Sequence, residues 1–555
     1  MRHLTLSLTV FLALSTAAQW SVDPGSPLVI CDAPSNQQSL RVLRDGSGGR
    51  YILWTDDRLG ANDIAVYGQR IDAMGVAQWD VDGRLIQHVA GRCINYLAAT
   101  VLDDGDLLLA TITGNTPNTT DTLYAMAYDD QGAEVWDAPR VLAYPGNLPG
   151  GGISTGVYDP RVITTPGAAL VAWQTNPMGA ADYITMTRLR NDGTPTLPLQ
   201  GVFVGGLNNP FTSGPWGMRT DLSHGALLER RQGNGMGAPL LALRVDSTGS
   251  ALWPNALTVS ANSSGLGYEW HSALEPTGRT VSVWGNGYDL RMAHYDTTGV
   301  LLNPNNAIDV VVQADVQENP FVLHADGKTF VTWADTRSTF GGQRQVFMQR
   351  FDAAGQPELA VNGIPAWLTN HGWNGVPRML PSDPGSLIHV MVTTGTTSGT
   401  TYGFRAMRTD HDANAQWADT VRFCDAALNP DFATGWSVSS DDDGGAVAVW
   451  LHPGGNTIYA ARLDRNGRLG DVTGVDEVPE PALVMAYPNP AQDAITFDLP
   501  ASARILAVEL FDARGRRIGI AHTQRTLDIR ALNPGLYTAR LLTSEGVRTS
   551  RFIKQ

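Results

Sequence analysis

Two short segments set an acid and an arginine behind a tryptophan: Trp54-Thr55-Asp56-Asp57-Arg58 and Trp333-Ala334-Asp335-Thr336-Arg337. Asp56 or Asp57 with Arg58, and Asp335 with Arg337, have the charge to hold an ionic ligand. The same residues suit a plainer task, an ion pair that pins the loop after a strand, and the spacing favours that task. Arg70 and Arg350, each following a Gln on a strand, fall under the same argument. Two acidic turns, Asp441-Asp442-Asp443-Gly444 and Asp80-Val81-Asp82-Gly83, offer oxygen ligands for calcium. Neither is followed by a closing Glu at EF-hand spacing, and Asp-Gly is a common hairpin pair in any case. Calcium is the one cofactor left open; otherwise no cofactor or metal is expected. Without Cys-x-x-Cys and a nearby His cluster, zinc has no ligand set.

The chain has no His-Glu-x-x-His and no phosphate loop, and no catalytic residue is assigned. Glycoside chemistry needs only two carboxylates that meet in space, and it stays open. Glutamates before residue 470 are few: Glu134, Glu229, Glu269, Glu275, Glu318 and Glu358. Glu269 and Glu318 fall just ahead of strands at one rim of the fold. Asp159, Trp216, Trp270, Asn319 and Trp436 fall near the same place. Amide, carboxylate and indole groups at one rim make a candidate ligand site for a polysaccharide or peptide, by hydrogen bonding and stacking.

The elements that would carry this rim come from a repeat. A strand ending in an Asp-x-x-Gly-like turn returns eight times between Gln19 and Gly470, as YGQRIDAMG (67–75), YAMAYDDQG (124–132), TMTRLRNDG (185–193), LLALRVDSTG (240–249), LRMAHYDTTG (290–299), VFMQRFDAAG (346–355), FRAMRTDHDAN (404–414) and IYAARLDRNG (458–467). An apolar strand precedes each copy and often closes on Trp, at Trp54, Trp173, Trp284, Trp333 and Trp450. These indoles read as packing between repeats rather than as sugar platforms. Each unit becomes strands a, b, c and d, with strand d opening on Trp at Trp79, Trp136, Trp253 and Trp417. Four antiparallel strands per unit predict a propeller blade, which must stack on its neighbours. The expected fold class is all-β, an eight-bladed β-propeller, with seven blades plus an appended unit as the alternative. Gln19-Trp20-Ser21-Val22-Asp23 resembles Gln78-Trp79-Asp80-Val81-Asp82. The first strand is therefore expected to be a d strand that pairs with the last unit.

Composition fits this picture. Of 555 residues, 59 are Gly, 32 Pro and 15 Trp, and only 17% are charged, a mixture suited to many short strands and turns. The net charge of −15 argues against a nucleic-acid partner, which would need a basic stripe. Arg2 and His3 precede an apolar run from Leu4 to Leu14 and the small residues Ser15-Thr16-Ala17-Ala18. Residues 1–18 therefore read as a secretory signal peptide, and no stretch is long enough for a transmembrane segment. Three cysteines occur, Cys31, Cys93 and Cys424. The Cys-Asp-Ala shared by Cys31 and Cys424 is the only sequence argument for a disulfide. Val472–Pro481 is acidic and Pro-containing, and residues 471–484 read as a linker.

The last segment, 485–555, changes character. Alternating strands are expected at Ala494–Leu499, Ala507–Asp512, Leu536–Leu542 and Thr549–Ile553. Turn residues separate them: Tyr487-Pro488-Asn489-Pro490 at the start, Ala513-Arg514-Gly515, and Asn533-Pro534-Gly535 before Leu536 and Tyr537. From Ala486 onward ten Arg and Lys oppose six Asp and Glu, a balance of +4, so residues 1–485 carry −19 of the total −15. The order of the opening Tyr-Pro-Asn-Pro, the Asn-Pro-Gly-Leu-Tyr and the basic end at Lys554 resembles the C-terminal sorting domain of type IX secretion cargo. That resemblance implies a small Ig-like β-sandwich, the type IX machinery as partner, a Bacteroidetes-type source, and a destination outside the cell or on the outer-membrane surface. For the body, the first reading is a secreted or surface-attached binding or structural module, with a polysaccharide or other cell-surface ligand. A glycan-acting hydrolase or lyase on the same scaffold, and an adhesin, are the alternatives.

Overall fold

The computed structural model describes residues 20–146, 154–177, 182–209, 215–232, 237–265, 270–303, 307–337, 345–367, 376–393, 403–428, 430, 435–452, 456–470, 484–500, 503–514, 517–521, 524–543 and 546–555. The expected signal peptide and nearly all of the expected linker lie outside them. The fold is all-β and propeller-like. Among the described residues the only helical element is one 3-10 turn, Ala426–Leu428, and no helix is long and apolar enough to cross a membrane.

Every Asp-x-x-Gly copy ends a strand of its own, from Ala65–Ile71 in the first unit to Ile458–Leu463 in the eighth. The body comprises six four-stranded antiparallel sheets and one eight-stranded sheet. In the latter, two four-stranded sets are joined by a short parallel contact of Ser264 and Gly265 with Asn286 and Gly287. Strand order in most sheets follows the chain, a-b-c-d. The exception was expected from the sequence. Leu28–Cys31 pairs antiparallel with Ile458–Leu463, so the start of the body supplies the d strand of its last unit.

The b strands sit in the middle of the sheets. Tyr51, Ile52, Leu53 and Trp54 are each at most 1% exposed, which explains their nearly unbroken apolar run. The a strands form the inner layer. Gln37–Arg44 packs on Cys93–Val101, that strand on Ser154–Thr165, and that on Trp216–Thr220; Trp270–Leu274 packs on Gln317–Ala325, then Arg378–Pro381, then Trp436–Ser440, which returns to Gln37–Arg44.

The tryptophans expected to open strand d do something else. They sit in the c–d connection, ahead of short d strands such as Arg84–Gln87 and Arg140–Ala143. Each reaches the turn of the next unit and donates its indole N–H to the carbonyl of the residue after the turn's first position. Trp20 bonds Ala73 at 2.8 Å, Trp79 bonds Asp130 at 3.1 Å, Trp136 bonds Asn191 at 2.6 Å, Trp253 bonds Thr297 at 2.9 Å and Trp417 bonds Arg465 at 2.9 Å. The turn is preformed by its Asp, whose carboxylate accepts two backbone amides, as Asp296 does from Thr298 at 2.8 Å and Val300 at 3.0 Å. The turn's glycine leaves room for the ring. Gly299 has φ +80°, and a Cβ there would stand 2.6 Å from Cδ2 of Trp253. Gly299→Ala should therefore cost roughly 1–3 kcal/mol and Trp253→Ala roughly 3–5 kcal/mol in denaturant unfolding. A neutral Gly299→Ala would refute this packing.

The C-terminal segment forms two antiparallel sheets. One holds Ala486–Tyr487, Ala494–Phe497 and Thr526–Asp528; the other holds Arg517–Ala521, Ile505–Phe511, Gly535–Thr543 and Gly546–Lys554. Ile495, Phe497, Val508, Leu541 and Phe552 fill their common core. The four strands expected here are present; the short strands at 486–487, 517–521 and 526–528 carry too few alternating residues to be read beforehand.

Candidate functional site

Strand register sets the level of each inner-strand residue. In every unit one b-strand residue pairs with the residue just before the turn's first position, as Arg50 does with Ile71. Three residues further along, the b strand meets a fixed level of strand a. That level holds Arg41 opposite Leu53, Ala98 opposite Ala110, Arg161 opposite Ala172, His271 opposite Val283, Phe321 opposite Thr332 and Arg378 opposite Val390. One step nearer the strand start, Trp216, Trp270 and Trp436 oppose Arg230, Trp284 and Trp450. At that step the first, third and sixth units carry bulges. Each bulge holds a left-handed residue: Ser39 (φ 54°), Asp159 (φ 47°) and Asn319 (φ 55°). Such bulges re-aim side chains at rims and are strained for a residue other than glycine.

Five of the seven rim candidates thus share one level: Asp159, Trp216, Trp270, Asn319 and Trp436. Glu318 lies one residue further towards the strand start, opposite Ala334. Glu269 lies outside the described residues. Asp159 is ion-paired with Arg161 at 2.8 Å. Burial lifts the Asp159 carboxyl above the usual range, against the pull of Arg161 and Arg41. The Arg161 guanidinium stands 5.6 Å from the ring centre of Trp216 in the next unit. Arg378 lies between units in the same way, 5.4 Å from Phe321 and 5.6 Å from Trp436. His271 stacks on Phe321 at 4.0 Å, and its Nδ1 accepts the Val322 amide at 3.2 Å.

Sequence reasoning passed over the arginines of this layer. It also gave Glu229 no role. That carboxylate is wholly buried and links the fourth and fifth units. Its Oε1 accepts Ser272 at 2.6 Å, Ser282 at 2.7 Å and Tyr295 at 3.0 Å, and its Oε2 accepts Arg219 at 3.1 Å. With so many partners it is a structural charge.

The other sequence candidates have structural employment. Asp56 accepts the Trp54 indole at 3.0 Å, the Arg58 amide at 2.9 Å and the Arg58 guanidinium at 2.6 Å. Asp335 does the same with Trp333 at 2.8 Å and Arg337 at 2.5 Å. Both are the loop-pinning pairs. Arg70 bridges Asp45 and Asp130, and Arg350 bridges Glu358 and Asp412. In the acidic turn Asp441 takes the Asp443 and Gly445 amides and Arg462, Asp442 meets Arg44, and Asp443 meets Arg465. Among the described residues no three His, Cys, Asp or Glu side chains gather to hold a metal ion. The indoles of Trp54, Trp173, Trp284, Trp333 and Trp450 are at most 2% exposed, so they pack and offer no platform. All three cysteines are free and buried, with no Cys31–Cys424 disulfide; burial pushes the Cys424 thiol up to about 12.

In the C-terminal segment three separated motifs converge. Asn489 accepts the Ile553 amide at 2.9 Å and donates to the Arg551 carbonyl at 3.1 Å. Tyr537 donates to the Asn533 carbonyl at 2.8 Å and stacks on Phe552 at 5.6 Å. Gly535 and Leu536 pair with Lys554 and Ile553. Residues 485–555 match the family model described as the secretion system C-terminal sorting domain. The protein is type IX secretion cargo. Its sorting domain directs it out of the cell or to the cell surface.

None of the curated proteins matches the chain in sequence. Solved structures align with it at low TM-scores. A PL25 ulvan lyase bound to -[GlcA(1-4)Rha3S]- is 10% identical over 82% of this chain and 98% of its own, with a TM-score of 0.41. Puromycin hydrolase is 15% identical over 86% and 66%, at 0.37. The endo-arabinase of Bacteroides thetaiotaomicron is 13% identical over 57% and 93%, at 0.26. Likeness at this level carries nothing about activity.

Proposed function

We propose that the exported body is an eight-bladed propeller and acts outside the cell as a non-catalytic binding or structural module. In this reading residues 1–18 are a signal peptide, 19–470 the propeller, 471–484 a linker and 485–555 an Ig-like sorting sandwich. The joined eight-stranded sheet then counts as two blades, and Leu28–Cys31 completes the eighth. Its ligand site is the rim formed by Asp159, Trp270, Glu318, Asn319 and Trp436, with the buried Trp216 (3% exposed) packing at the same level and a surface polysaccharide or peptide as ligand. One observation carries the non-catalytic reading: of the two rim acids Asp159 and Glu318, Asp159 is held by an arginine at 2.8 Å. Glycoside hydrolysis instead needs two carboxyl groups about 5–10 Å apart across the scissile bond.

The glycan-acting reading has one observation in its favour, the raised Asp159 carboxyl, a property of general acids. Incubation of the purified protein with a panel of bacterial and algal polysaccharides separates the two. The binding reading expects retention on a glycan without new reducing or unsaturated ends. Turnover that is lost in Asp159→Asn would overturn it in favour of the enzyme.

A further inference from the structure

We propose that the inner layer binds an acidic glycan, its carboxylate or sulfate groups held by Arg41, Arg161 and Arg378 and its sugar faces by the neighbouring indoles. This deepens the binding-module reading and rests on it. Register puts the three arginines on one level of the a strands, in the first, third and seventh units. Between the first and third units the equivalent residue is Ala98, which adds no charge to this level. Arg161 is ion-paired with Asp159, and both act on Arg41 through space, Arg161 repelling it and Asp159 attracting it. Burial is the larger influence on Arg41, and the repulsion of Arg161 adds to it.

Two like charges held together in a partly desolvated place leave an uncompensated positive charge there. An anionic ligand group removes that cost, and a guanidinium pair matches the fork geometry of carboxylate or sulfate. The layer is cationic although residues 1–485 carry −19 overall, so the attraction is local to this level. A glycan is favoured over an acidic peptide by what lies one step away. Trp270 and Trp436 are partly exposed at the level next to the arginines, and indole faces stack on pyranose rings.

The test uses the full chain and four polymers: polygalacturonate, its fully methyl-esterified form, chondroitin sulfate and polyglutamate, with binding read by calorimetry. The expected result is binding to polygalacturonate or chondroitin sulfate, weakened about tenfold or more in Arg161→Gln and Arg41→Gln. Arg161→Lys should recover part of it, and thermal unfolding should stay within a few degrees of wild type. Binding to the methyl ester as tight as to the acid would overturn the charge argument while leaving a glycan-binding module. Equal or tighter binding to polyglutamate would assign the layer to acidic peptides and overturn the glycan. No binding to any of the four would overturn the proposal. Cleavage of the bound acidic polymer would leave the ligand class standing and sink the non-catalytic reading instead.

Discussion

Deletion of residues 20–31 is expected to lower the thermal unfolding midpoint by roughly 10 °C or more. The segment does two jobs. Leu28–Cys31 pairs with Ile458–Leu463 and completes the sheet of the last unit. Trp20, 4% exposed, packs on the first unit, where its amide bonds the Met74 carbonyl at 3.3 Å and its indole the Ala73 carbonyl at 2.8 Å. Burial of one such tryptophan is worth roughly 3–5 kcal/mol. Losing the strand also exposes the polar edge of Ile458–Leu463, an aggregation hazard. Trp20→Ala alone should give a smaller drop by the same scan. An unchanged midpoint in the deletion would mean that the last unit is stable without its borrowed strand.

The second large effect is acid lability between pH 6.5 and about 4. Burial pulls His294 and His389 down from 6.5 to about 4, and His271 to about 3. Buried histidines stay neutral in the folded protein while the unfolded chain takes up protons as pH falls below 6.5. Their contribution is therefore present above pH 6.5 and lost on descent towards the folded value. Each costs about 1.4 kcal/mol per pH unit in that window, or on the order of 3 kcal/mol by pH 4 for His389. Asp106 opposes this, since burial lifts it to about 6 and its protonation on acidification favours the folded state. The histidines outnumber it. Unfolding midpoints measured at half-unit steps from pH 7.5 to 4 should fall, and His389→Gln should flatten the slope while keeping a partner for Thr409, now 3.0 Å from the ring. An equal slope in that variant would rule out His389 as a source.

Architecture was legible because its markers are local. The Asp-x-x-Gly turn carries its own hydrogen bonds, so each copy located a strand end without tertiary information. The copy of Gln-Trp-x-Val-Asp at Gln19 likewise announced the shared strand. Tryptophan in the c–d connection misled for a physical reason: it is buried by a neighbouring unit, so local periodicity reads it as strand when it is a connector. The rim was legible only in part. Trp216, Trp270 and Trp436 open strands of similar spacing and were found. Arg41, Arg161 and Arg378 were not, because the hairpin from Arg161 to Ala172 is one residue shorter than that from Arg41 to Leu53. A slip of one residue in a hairpin breaks a column of aligned units. Glu229 carries no local signature, since its partners Ser272, Ser282 and Tyr295 come from another unit.

The shared strand also imposes an order of events. Leu28–Cys31 is among the first parts of the body to be synthesised, and its partner Ile458–Leu463 among the last. The seam cannot shut until almost the whole body has been made, and the loop it closes is the longest in the body. Until then Ile458–Leu463 lacks its neighbour on one side, and that unpaired edge is the part of a partly made body open to pairing with another chain.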